Sequence, residues 1–122
     1  MGSHPANLTL RFILELSVLI SSGAWGYKQG TGFFKILLAI FIPALLATIW
    51  GVFAVPDDPS RSGNTVIATP GIVRLFMELA IFAFGTWTFY SLGYSKIGYV
   101  FGAIVLLHYI LSYDRVLWLV SQ

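Results

Sequence analysis

The sequence predicts an all-α integral membrane protein, a four-helix bundle built as two parallel helical-hairpin repeats. Three observations lead there. Of the 122 residues, 57% are hydrophobic and 10% charged, with a mean hydropathy of +0.83. A soluble domain carries about 25% charged residues, and a soluble core of this size could not hide so much Leu, Ile, Phe and Trp. The apolar residues fall into four runs, each able to cross a bilayer at about 1.5 Å of rise per residue. Finally, the stretch Leu10-Arg11-Phe12-Ile13-Leu14-Glu15-Leu16 is echoed by Val73-Arg74-Leu75-Phe76-Met77-Glu78-Leu79 at an offset of 63 residues (74 − 11 and 78 − 15). Leu16 with Leu79 and Tyr27 with Tyr90 match in the same register.

The spans form one transmembrane domain over residues 1–122. The first runs from about Thr9 to Gly26 and ends on the interfacial aromatics Trp25 and Tyr27. Met1-Gly2-Ser3-His4 reads as a polar tail outside the fold. The first run is expected to stay in the mature protein, because Arg11 and Glu15 interrupt it and no basic segment precedes it. Lys28 to Gly32 make a short turn. The second span, about Phe33 to Val55, has Pro43 near its middle, where a kink is expected. Pro43, Ala47 and Gly51 offer a small-residue face for close helix approach.

Pro56 to Thr69 form a polar loop that includes Asp57, Asp58, Arg61 and Gly63. Pro70 then opens the third span, about residues 70–90. The fourth, about residues 97–119, carries His108, Asp114 and Arg115 towards its end. Four spans put both termini and the long loop at one face of the membrane. Lys28, Lys35 and Lys96 flank the two short turns at the other face. These lysines favour cytoplasmic turns and external termini in a bacterial cytoplasmic membrane, while counting the arginines as well cancels the bias.

A Leu-Arg-Phe-x-x-Glu-Leu start, an internal proline, Trp50-Gly51-Val52-Phe53-Ala54-Val55-Pro56 and a second Arg-x-x-x-Glu helix resemble the YrdB-like family of small bacterial membrane proteins. The similarity covers the first three spans. It implies a four-span membrane protein, carries no assigned activity and transfers no site.

Function has to be sought in the charges. An ionised side chain at the centre of a membrane helix costs about 2.5–3.5 kcal/mol, so two Arg/Glu pairs must face protein or water. The four-residue spacing lets Arg11 pair with Glu15 and Arg74 with Glu78. Asp114 and Arg115 reach a similar depth, His108 lies deeper, and Trp50 arrives from the second span. The expected binding cluster is therefore Arg11, Glu15, Arg74, Glu78, Trp50, His108, Asp114 and Arg115. Glu15, Glu78, Asp114 and His108 are the acid–base candidates within it. Ser22 and Gly85 should let the first and third helices close at the other end.

No cysteine is present, which excludes disulfides and thiolate chemistry. No histidine–carboxylate spacing supports a metal, no cofactor fingerprint occurs, and the net charge of +2 is too dispersed for nucleic acid. Three readings follow. The first is binding or translocation of a small amphipathic molecule, for which a homodimer would enclose a pathway. The second is a membrane-embedded acid–base enzyme acting on a lipophilic, isoprenoid-like substrate. The third is a structural or accessory subunit whose charges only register the helices.

Overall fold

Five helices account for most of the chain in a computed structural model, which describes residues 4–58 and 65–122. The tail at residues 1–3 and the loop residues 59–64, Arg61 and Gly63 among them, lie outside the described residues. Helix α1 spans Pro5–Gln29 and so begins ahead of the expected Thr9. His4 belongs to the fold after all: its Nδ1 accepts the Ala6 N–H at 3.2 Å. Pro5 occupies the first turn, where a missing N–H loses no helical hydrogen bond.

Helix α2, Phe34–Val52, stops short of the expected Val55. Pro56 pushes the residue before it out of the helical region, so the chain must extend ahead of it. Strand β1, Phe53–Ala54, pairs in parallel with β2, Ile67–Ala68, in the register Phe53↔Ile67 and Ala54↔Ala68. The Thr69 N–H then donates to the Ala54 carbonyl at 2.9 Å. The long loop is thus stapled at its mouth before α3, Gly71–Ser91, begins behind Pro70.

The fourth expected span is not one helix. It divides into α4, Ser95–Leu111, and α5, Tyr113–Ser121, with a bend of 70° between them. Two backbone bonds bracket the break: Ser112 N–H donates to the His108 carbonyl and Val116 N–H to the Ser112 carbonyl, at 2.9 and 3.0 Å. The bend carries α5 against the start of α3. At Gly71 a side chain would collide with the Leu119 carbonyl.

Leu14 and Val18 of α1, Ile81 and Phe82 of α3, and Phe101 and Val105 of α4 form the buried core. Helix α2 buries no residue and packs mainly on α1, so the helices share the core unequally. Helices α1, α2 and α3 are each long and apolar enough to cross a membrane, and α4 with α5 qualifies as a bent pair.

Small residues decide how near the helices come. Gly26 lies under the Leu38 carbonyl, 2.9 Å from where its Cβ would stand, and Gly23 faces the Ala39 carbonyl. Gly85 backs onto Val18 with no room for a methyl, and the Ser21 and Thr88 hydroxyls meet at 2.9 Å. The expected closure of α1 on α3 is present. The expected close face along α2 is only half present: Pro43 meets Gly23, whereas a Cβ at Gly51 would find open space. Gly26→Ala should therefore destabilise the protein by about 1–3 kcal/mol through overpacking. Gly51→Ala should be neutral or stabilise by up to about 1 kcal/mol through helix propensity. Thermal unfolding in detergent checks the pair, and equal midpoints would contradict this packing.

Candidate functional site

Glu78 is the centre of the charged cluster and is 0% exposed. Tyr109 Oη and Arg115 Nη1 each donate to its Oε1 at 2.8 Å. Its Oε2 accepts from Arg74 Nε at 2.7 Å, Arg115 Nη2 at 2.8 Å and Arg11 Nη2 at 3.1 Å. These five donors come from α1, α3, α4 and α5. A carboxylate offers about four lone-pair directions, so a proton has no place left to sit on Glu78.

Each arginine also reaches outward. Arg11 Nε donates to Glu15 Oε1 at 3.2 Å. Arg115 Nη2 donates to Asp58 Oδ2 at 2.8 Å. Arg74 Nη1 donates to the backbone carbonyls of Trp50 and Phe53, at 2.6 and 2.5 Å. Those carbonyls end α2, where the helix dipole is negative and a cation is favoured. The guanidinium carbons of Arg11 and Arg74 stand 5.4 and 4.9 Å from the centroid of the Trp50 ring, within cation–π range. Three arginines thus meet the three carboxylates Glu15, Asp58 and Glu78, and the cluster balances its charge.

Arg11, Glu15, Arg74, Glu78, Trp50 and Arg115 therefore converge as expected. His108 occupies a neighbouring layer instead. Its Nδ1 lies 2.9 Å from Asn7 Oδ1, and Asn7 Nδ2 donates to Ser112 Oγ at 2.6 Å. This relay joins the start of α1 to the break between α4 and α5. Asp114 stands exposed on α5.

Sequence reasoning missed Asp58, Tyr109, Asn7 and Ser112. Asn7 was accessible, because it precedes Arg11 by four residues on the face that continues to Leu14 and Val18. Charge arithmetic did not single out Asp58, because Asp114, beside Arg115 in the fourth expected span, already offered a third acid for the third arginine. Nothing in the pattern marks Tyr109 among its apolar neighbours.

The two repeated glutamates have different surroundings. Glu78 is sealed, whereas the Glu15 side chain is 25% exposed and borders a cavity of about 140 Å³. Leu19, Leu46, Ala47, Trp50, Gly51 and Phe82 contribute its apolar walls. The cavity exists because Ala47 and Gly51 are too small to fill the space between α2 and its neighbours.

A family model described as a protein of unknown function (DUF2568) matches residues 9–106, which include both Arg/Glu pairs and stop before α5. The uncharacterized protein YrdB of Bacillus subtilis (strain 168) is 45% identical over 119 residues, covering 98% of this chain and 97% of that relative. No solved structure matches.

Removing the charge at the centre should cost far more than removing it at the edge. Glu78→Gln leaves buried arginines short of a counter-charge, and such a break costs about 3–5 kcal/mol. Glu15→Gln, at a partly exposed pair, should cost about 1 kcal/mol or less. Unfolding midpoints of the two purified variants test the ranking, and equal losses would refute it.

Proposed function

The chain belongs to the YrdB-like family of unknown function (DUF2568), and we propose that it sits in the bacterial cytoplasmic membrane and binds a small amphipathic molecule at the Glu15 cavity. One observation carries this reading: Glu15 borders an apolar cavity, whereas Glu78 is 0% exposed beneath its five donors. A dry cavity of about 150 Å³ lined by apolar side chains accepts a ligand the size of benzene. The Glu15 cavity therefore suits a single ring or short alkyl group. The polar atom such a group meets is a carboxylate oxygen, because the neighbouring Arg11 guanidinium already serves Glu15 and Glu78. An ammonium or other donor head is favoured over an anion.

The structural reading keeps one observation in its favour, the saturation of Glu78, which suits a lock between helices. Both roles coexist in one cluster, with Glu78 as the lock and Glu15 as the reader. The acid–base enzyme reading has less support, since its second carboxylate has no lone pair for a proton.

Benzylamine titrated into the purified protein should raise the unfolding midpoint, by about 2.7 kcal/mol equivalent at a hundredfold excess over Kd. Benzoate should have no comparable effect. Glu15→Gln and the cavity-filling Gly51→Leu should each abolish the shift. Equal stabilisation by benzoate, or an unchanged response in Glu15→Gln, would end this reading.

The proposed orientation places the lysines of the short turns in the cytoplasm, on the positive-inside rule. Because the chain lacks cysteine, single substitutions report cleanly. In intact cells a membrane-impermeant maleimide should label Gln122→Cys and spare Thr31→Cys; the reverse pattern would invert the topology.

A further inference from the structure

Every carboxylate of the sequence, Glu15, Asp57, Asp58, Glu78 and Asp114, belongs to the half of the molecule that holds the cluster. Every lysine, Lys28, Lys35 and Lys96, belongs to the end with the short turns. Thirteen residues of α1 separate Glu15 from Lys28, about 20 Å at the helical rise. Among the described residues none of the three lysines is paired with a carboxylate. The turn end is thus cationic without compensation.

That end also holds a concavity of about 450 Å³ between α1, α2 and the turn that follows α3. Gly23, Ala24, Ala39 and Leu92 give it apolar walls, and Tyr27, Lys28 and Tyr94 give it polar tips. Lys35 Nζ sits 4.8 Å from the centroid of the Tyr27 ring, adding a second cation beside Lys28. One lysine and two tyrosines lining an apolar groove, with a second ammonium over one of the phenol rings, match a phosphate diester carrying a hydrocarbon chain.

We propose that this cleft binds an anionic phospholipid, its phosphate held by Lys28 with Tyr27 and Tyr94 and an acyl chain along Gly23, Ala24 and Ala39. The site is separate from the Glu15 cavity and stands or falls independently of it. Lys35 is a secondary contact, placed over Tyr27. Lys96, two residues beyond Tyr94, adds to the field at the cleft.

Native mass spectrometry of the full-length protein in detergent, titrated with phosphatidylglycerol or phosphatidylcholine of matched chains, tests the site. One phosphatidylglycerol should be retained at least fivefold more tightly than phosphatidylcholine. Lys28→Gln should weaken it by about fivefold, the contribution of one lysine near an anionic surface, while Lys28→Arg keeps it. Circular dichroism on both variants separates lost binding from lost fold. Equal retention of the two lipids, or an unchanged affinity in folded Lys28→Gln, would overturn the proposal. So would displacement of the lipid by millimolar inorganic phosphate alone, which would make the occupant a free anion.

Discussion

The carboxylate of Glu78 holds this molecule together. Arg11 brings α1 to it, Arg74 clamps it from its own helix, Tyr109 comes from α4 and Arg115 from α5. Through Arg115 it also fixes Asp58 and the turn that carries it, and through Arg74 the end of α2. Charges removed from water demand this completeness. A half-satisfied ion would cost several kcal/mol, whereas a fully ringed one costs little and dictates which helix ends meet. The break between α4 and α5 follows from the same demand, since the bent chain sets Arg115 on Glu78 and Asp58 together.

Small residues do opposite work in two places. Gly26 and Gly85 bring backbones and side chains close enough that a methyl would not fit, and Gly23 approaches the Ala39 carbonyl almost as closely. Ala47 and Gly51 leave a void instead, because no neighbouring side chain fills the space beside them. That void separates the chemistry of the repeated glutamates. Two Arg-x-x-x-Glu stretches give one acid ringed by five donors and another beside an apolar cavity, so surroundings rather than residue type set what each can do.

The helical class, the apolar spans and the convergence of Arg11, Glu15, Arg74, Glu78 and Arg115 were legible, because helical spacing and the cost of unpaired charge leave few alternatives. The end of the fourth span was not. Its buried positions, Gly98, Phe101, Val105, His108, Ser112, Arg115 and Leu119, keep a three-or-four-residue rhythm straight through the break. A periodic pattern reports which face is buried and is blind to a change in the direction of the axis. Asp58 was hidden for a different reason: beside Asp57 and Pro56 it reads as turn chemistry, and only its partner on another element makes it a buried ion.

By itself the sequence determined that the chain is helical, that its apolar runs are long enough to cross a membrane, and that its arginines and glutamates are spaced to pair with one another. These are local properties of composition and spacing. Tertiary structure alone decided that Glu78 is sealed while Glu15 meets a cavity, that α2 packs on the core without burying any residue fully, and that His108 answers to Asn7 rather than to the carboxylates. Each of these depends on distances between segments far apart in the chain, which packing sets and no single run of residues encodes.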